Sequence, residues 1–157
     1  MGVDLFRRAW GNFATGASLI TTITNEGEVH GMTANGIASI SLDPMLAMVC
    51  VGHKANTHPI IQSTGRYGIN VLEEGQESIA SYYARSDEKR DGSIDPDFEF
   101  TKSGTPFLKG ALSSMDCKVV NSHIEGDHTV FIGLVEEISV RSGRPLVFFE
   151  GNWTHLK

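Results

Sequence analysis

Two long strand-like segments near the C-terminus constrain this chain most: Ala111 to Ile124 and Thr129 to Val140, with only Glu125-Gly126-Asp127-His128 between them. So short a connection returns the chain antiparallel beside itself, because a parallel neighbour needs a crossover of about a dozen residues or more. Earlier segments repeat the pattern at smaller scale. Ala17 to Thr24 is rich in Ile, Leu and Thr, Asn25-Glu26-Gly27 supplies turn chemistry, and Glu28 to Ala34 is the return run. From Ile37 to Ser41 the chain alternates Ile37, Ser39 and Ser41 against Ala38, Ile40 and Leu42. Asp43-Pro44 breaks this run, and Met45 to Val51 reads as a fully buried strand. Tyr67 to Leu72 is a further strand. Ser142-Gly143-Arg144-Pro145 turns into Leu146 to Phe149, and Asn152-Trp153-Thr154-His155 closes the chain.

Helical spacing is confined to short pieces. Leu5, Phe6, Ala9, Trp10 and Phe13 recur at helical intervals over residues 4–14, with Gly16 as a stop signal. Thr57 to Ser63 predicts a helix with Asn56 or Thr57 as N-cap, Pro59 in its first turn and Gly65 at its end. Gln76 to Arg85 predicts another, with Ile79, Ala80, Tyr82 and Tyr83 as its apolar positions. Residues 86–105 form a charged, Gly- and Pro-punctuated connection whose length marks it as functional or mobile. Crossover helices for a parallel sheet are missing. The expectation is therefore a mainly β fold with short helices, a Greek-key-like antiparallel barrel, closed or split.

A chain of 157 residues predicts a single domain over 1–157, and about half of its residues are apolar or glycine, as in ordinary globular domains. The net charge of −6 disfavours nucleic acid and anionic membranes as partners, since both need a basic surface. Any anionic ligand must then be held by a local site. No segment has the apolar core of a signal peptide, and Met45 to Val51 is too short to span a bilayer. Cys50 and Cys117 form no CxxC pair and read as structural thiols. A soluble, cytoplasmic protein is expected.

Familiar nucleotide cradles are absent: there is no G-x-G-x-x-G, no G-x-x-x-x-G-K-[ST] and no G-x-S-x-G elbow. The six histidines never fall at H-x-x-x-H spacing. The helix start at Thr57, with Pro59 behind it, predicts separate local structure for His53 and His58. No metal is expected.

Three patches remain. The first runs Gly31-Met32-Thr33-Ala34-Asn35-Gly36-Ile37-Ala38-Ser39-Ile40-Ser41-Leu42-Asp43-Pro44. The second runs Val49-Cys50-Val51-Gly52-His53-Lys54-Ala55-Asn56-Thr57. The third is Gly126-Asp127-His128, followed by Gly133, Pro145-Leu146 and Trp153. Thr33, Ala34 and Asn35 are small enough to let a flat ring approach the backbone N–H groups. Ser39 and Ser41 share one strand face by the two-residue period, although an ordinary Thr/Ser-rich strand has the same pattern. Lys54, Asn56 and Thr57 lie at a helix start, where unpaired N–H groups and the helix dipole favour a phosphate; a plain cap beside a solvated lysine is the alternative. Arg85 and Ser86 end the third helix within reach of the same anion, or simply in solvent.

In this combination and order the patches resemble the flavin reductase-like family, the FMN-binding split barrels that include reductase components of two-component flavin monooxygenases. The resemblance runs from Phe6 to about Trp153. Three positions depart from it: Met45 where a second proline is frequent, Gly36 where a serine often follows the T-A-N, and Trp153 in place of a C-terminal tyrosine. The resemblance implies an FMN-binding split barrel with FMN, or FAD, held by Thr33, Ala34, Asn35, Ser39, Ser41, Lys54, Asn56, Thr57 and Arg85. It places His128 and Trp153 against a nicotinamide nucleotide; Trp153 and Phe149 read either as core or as lining of the cofactor slot, with the core favoured for Phe149, and Asp127 reads as stabilising its turn. The implied reaction moves a hydride from NADH or NADPH to the flavin by positioning alone, with no catalytic side chain. A homodimer and a separate oxygenase are the implied partners. The rivals are a deazaflavin-dependent reductase, a non-catalytic flavin or haem carrier on the same barrel, and a structural module that binds another protein.

Overall fold

The computed structural model describes Met1–Lys157. An N-terminal helix, α1 (Val3–Gly11), leads into β1 (Thr15–Gly16), β2 (Ser18–Ile23), β3 (Val29–Ala34), β4 (Ile37–Leu42) and β5 (Met45–Gly52). Then come α2 (Thr57–Thr64), β6 (Arg66–Val71) and α3 (Glu77–Tyr83). The second half holds β7 (Phe98–Phe100), β8 (Pro106–Leu108), β9 (Ser113–Glu125), β10 (His128–Val140), β11 (Leu146–Phe149) and β12 (Asn152–His155). The long hairpin is β9–β10, turned by Glu125 to His128 with Gly126 at φ 61°. No helix is long and apolar enough to cross a membrane.

The main sheet has seven strands in the order β3-β2-β6-β9-β10-β5-β4, every pairing antiparallel. Its two edges, β3 and β4, are consecutive in the chain and joined only by Asn35-Gly36. Laid flat, seven strands spaced about 4.8 Å apart would hold those edges about 29 Å from each other. Two linking residues reach about 11 Å. The sheet must therefore curl until its edges meet, yet β3 and β4 do not pair. This is a barrel split along one seam, and the seam runs through Ala34-Asn35-Gly36-Ile37.

Inside the barrel, Ile20, Val49, Val51, Tyr67, Ile69, Cys117, Phe131 and Val135 form one core. A second, containing Leu19, Leu72, Ala80, Leu108 and Leu146, lies where α3 and β11 cover the sheet. Burial along β5 alternates rather than running unbroken: Ala47, Val49 and Val51 are buried while Leu46, Met48 and Cys50 are partly exposed. An antiparallel strand with one packed face has no other option. Cys117 is a core thiol that burial pushes up to about 12, which makes it inert. Cys50 is only half-buried. Phe149, expected in the core, is 39% exposed near the end of β11.

Residues 86–105 are more ordered than their composition predicts. A single 3-10 turn spans Asp87–Lys89, and β7 pairs with β8. Asp116, buried on β9, accepts hydrogen bonds from the hydroxyls of Thr101 (3.0 Å), Ser103 and Thr105 (2.6 Å), and lies 3.3 Å from Arg66 Nη2. Burial alone would raise this carboxyl's pKa. The three hydroxyls and Arg66 outweigh it and hold Asp116 below the usual carboxylate range.

Tyr67 crosses the barrel interior, where its hydroxyl reaches the carbonyls of Ala47 (3.0 Å) and Phe131 (3.2 Å). Gly133 makes that crossing possible: a Cβ there would stand 2.7 Å from Cys117 Cβ and 2.8 Å from the Tyr67 hydroxyl. Gly133→Ala is therefore expected to cost about 1–3 kcal/mol by overpacking. Gly16→Ala, whose Cβ meets nothing within 4 Å, should change stability by no more than about 0.5 kcal/mol. Urea unfolding of both variants checks the contrast, and equal midpoints would contradict it.

Candidate functional site

A cleft of about 440 Å³ opens between β3, the start of α2 and the segment after α3. Local bonding explains how the second sequence patch reaches it. β5 ends at Gly52, and the turn Gly52–Asn56 is closed by Ala55 N–H to Gly52 O (3.0 Å) and His58 N–H to Ala55 O (3.1 Å). This sets Lys54, Asn56 and Thr57 along the cleft. α2 then runs to Gly65, whose φ of 70° terminates it.

Thr57 is buried, with Oγ1 3.0 Å from His30 Nε2. Asn56 occupies the N-cap position but makes no capping bond with its side chain. Its Nδ2 donates instead to Asp87 Oδ2 at 2.6 Å. The same carboxylate lies 3.0 Å from Arg90 Nη1 and 3.7 Å from His30 Nδ1. Arg90 is itself fixed, donating to Tyr83 O at 3.0 Å with its guanidinium 5.0 Å from the Tyr83 ring centroid. Arg85 lines the cleft from the end of α3, 6.0 Å from the Tyr82 ring centroid. The cleft thus carries three permanent cations, Lys54, Arg85 and Arg90, against two carboxylates, Asp87 and Glu88, of which Asp87 is seated among the donors. Its donors are suited to an anionic oxygen.

The seam residues flank this cleft. The Thr33 hydroxyl is occupied, donating to Ala80 O of α3 at 2.7 Å. The Asn35 side chain reaches Thr15 Oγ1 at 3.4 Å, and Ala34 O accepts from Ser18 Oγ at 2.7 Å. With those side chains engaged, what the T-A-N stretch offers a ligand is the outer backbone edge of β3, which pairs with no strand. Gly31 keeps this region thin, because a Cβ there would come within 3.0 Å of the Tyr83 ring.

β5 and β10 bring in the third patch. His128 pairs with Gly52, and Asp127 O accepts from His53 N–H at 2.9 Å, so Gly126-Asp127-His128 adjoins the turn that carries Lys54. The His128 imidazole is half exposed, with Nδ1 2.8 Å from Asp127 Oδ1. That contact holds the Asp127 carboxyl below its usual range.

Three placements depart from the sequence expectation. Ser39 and Ser41 line a separate apolar groove with Leu42, Met45 and Ile138, and a register shift of β4 falls between them, so they do not join Lys54. Trp153 packs on Phe148 (ring centroids 4.8 Å) and donates from Nε1 to Ser81 Oγ at 2.9 Å, buttressing α3 outside the cleft. His53 and His58 come together, because the first turn of α2 folds back over the end of β5. Their rings lie 4.9 Å apart, and each Nε2 meets the buried Thr129 hydroxyl, at 2.9 and 2.8 Å. That hydroxyl has one proton, so it donates to one ring and accepts from the other. Burial, then the charge of His53, pushes the His58 pKa down. No group of three or more His, Cys, Asp or Glu is arranged to hold a metal ion.

Sequence reasoning missed His30, Tyr83, Asp87 and Arg90. The one local signal was the i, i+3 spacing of Asp87 and Arg90 just beyond a helix end. His30 carries a testable signature. Burial lowers its pKa most, Asp87 raises it and Arg90 lowers it, with the net shift downward. The imidazole is therefore expected to titrate below the ordinary histidine range in NMR spectra. Asp87→Asn removes the one raising influence and should move His30 lower still, whereas an upward move would contradict this arrangement.

The flavin reductase-like domain family matches residues 10–157 of the chain. An NADH-dependent flavin reductase from Rhodococcus sp is 40% identical over 154 residues, covering 96% of this chain and 85% of the relative. The solved flavin reductase PheA2 in its native state superposes with a TM-score of 0.93 at 41% identity, over 100% of this chain and 99% of the other. The styrene monooxygenase flavin reductase SMOB from Pseudomonas putida S12 gives a TM-score of 0.89 at 33% identity, over 98% and 97% of the two chains. With the split barrel, the open seam at T-A-N and the anion-seating cleft beside it, these likenesses place the chain in the flavin reductase-like family.

Proposed function

We propose that this chain is an NADH:flavin oxidoreductase whose 157 residues act as one unit. The observation that carries the reading is a juxtaposition. An anion-accepting cleft at the start of α2 lies beside an unpaired backbone edge at the barrel seam, and β5–β10 pairing sets His128 next to the turn that carries Lys54. FMN, or FAD in its place, fits that arrangement: the phosphate end needs cations and N–H donors, and the ring needs a thin, small-residue backbone face.

The flavin, when bound, supplies the electron-accepting ring to which NADH gives its hydride. Everything else falls to this chain's residues. Lys54, Asn56, Thr57 and Arg85 hold the phosphate, helped by the positive end of the α2 dipole. The outward-facing backbone N–H of the Thr33 to Asn35 stretch faces the ring edge and stabilises negative charge as it develops there. His128 hydrogen-bonds the nicotinamide nucleotide and orients it. No side chain needs to move a proton for the hydride step, so the rate depends on how well the two rings are aligned. Ser39, Ser41 and Trp153 have no part in this site.

We also infer a homodimer that delivers reduced flavin to a separate oxygenase. Phe6 and Trp10 on α1 and Phe13 just beyond it are each about 60% exposed, and Leu42 and Met45 border the apolar groove at 87% and 50% exposure. Apolar surface on this scale calls for a partner, and a second copy of the chain is the one we favour. The oxygenase reading leans on the likeness to a reductase named for styrene monooxygenase. A cytoplasmic setting agrees with the free thiols of Cys50 and Cys117 and with the NADH supply.

NADH oxidation by the purified protein is expected to require added flavin, and turnover that ignores flavin would refute the proposal. Lys54→Ala should weaken FMN binding about tenfold and leave riboflavin, which has no phosphate, within about twofold, as for loss of one charge beside a dianion. Fluorescence titration with both flavins checks this. His128→Ala should raise the KM for NADH severalfold with little change in flavin affinity; unchanged NADH kinetics would remove His128 from the site.

A further inference from the structure

Within the cleft, the anion-seating position is filled by the chain itself. Asp87 Oδ2 takes the 2.6 Å hydrogen bond from Asn56 Nδ2 at the head of α2, Oδ1 lies 3.0 Å from Arg90 Nη1, and His30 Nδ1 stands 3.7 Å away. These are the donors an incoming phosphate would use. Lys54 and Arg85 line the same cleft without an ion-pair partner of their own. Asp87 is reached from a 3-10 turn, Asp87–Lys89, and its side chain is 38% exposed, so it can leave without disturbing either core.

We propose that Asp87 is the residue that sets how tightly this chain holds a flavin phosphate, by occupying the phosphate position as an internal competitor. The inference rests on the flavin reading above. Binding FMN requires the Asp87 carboxylate to withdraw, because two anions cannot share the Asn56 amide donor. Withdrawal also frees Arg90 Nη1, which adds a donor for the phosphate or for the pyrophosphate of FAD. When flavin departs, the carboxylate returns and the donors are again satisfied. The gain on binding is therefore only the difference between phosphate and carboxylate at the same position. A flavin meant to leave for another enzyme needs that modest affinity, whereas a permanently held one does not.

A purely anchoring role for Asp87 predicts the opposite outcome. If Asp87 only ties residues 86–90 to α2, its loss loosens the cleft wall and weakens every ligand, with or without phosphate. The experiment measures FMN and riboflavin dissociation constants by fluorescence titration for the wild type, Asp87→Asn, Asp87→Ala and Lys54→Ala. Melting temperatures are recorded alongside. The expected result is FMN binding about tenfold tighter in both Asp87 variants, from removal of one negative charge beside a dianion, with riboflavin within about twofold. Both variants should also oxidise NADH more slowly with FMN in excess, as product leaves less readily. FMN affinity that is unchanged or weakened in both folded variants overturns the proposal, while the Lys54→Ala discrimination between FMN and riboflavin stands. Equal losses for the two flavins in Lys54→Ala would instead remove the phosphate from this cleft, and the competitor with it.

Discussion

Asn35-Gly36 joins two strands that lie at opposite edges of a seven-stranded sheet. The rest of the structure depends on that short link. It forces the sheet to curl, and because the edges meet without pairing, it leaves a row of backbone donors and acceptors open along β3. Such an edge is a liability in most proteins, since it invites pairing with another chain. Here α3 packs beside it, pinned by the Thr33 hydroxyl on Ala80 O, and Trp153 holds α3 from the other side through Ser81. The edge is flanked by α3 and left without a strand partner.

Charge is managed with the same local economy. The chain as a whole carries −6, yet Lys54, Arg85 and Arg90 meet in one cleft. Elsewhere cations and carboxylates are tied up structurally, as where Arg66 is shared between Asp116 and Glu136. Asp116 in turn fastens residues 101–105 through three hydroxyls, so a stretch of charged and glycine-rich chain becomes part of the barrel wall. A local excess of cations on an acidic protein concentrates positive potential at one cleft while the remaining surface repels polyanions.

Much of the strand plan was legible because period-two patterning and turn chemistry are local. Val29–Ala34, Ile37–Leu42 and the β9–β10 hairpin lie within a residue or two of where alternation and turn residues put them. The helices at Thr57 and Glu77 were equally readable from their stop and start signals. What failed for α1 and β5 was the inference about which side of an element is covered, while Cys117 and the apolar positions of α3 pack inward as expected. The apolar face of α1 contributes no buried residue, and β5 is buried on one face only. Burial depends on neighbours brought in from distant sequence, and a pattern of apolar residues says only that some cover exists. For α1 nothing within the chain supplies it.

The candidate site divides along the same line. The residue sequence by itself determined that Lys54, Asn56 and Thr57 would cluster at a helix start and that Gly126-Asp127-His128 would be a strand-joining turn, because a few neighbouring dihedrals and caps decide both. Only the tertiary structure decided that these two patches adjoin, through the Gly52–His128 pairing, and that Ser39 and Ser41 belong to another groove. It alone revealed His30, Tyr83 and Arg90 as parts of the cleft, with the Asp87 carboxylate seated among its donors. Cross-strand register and long-range ion pairs join residues many positions apart, and no local preference of the chain records which partner will arrive.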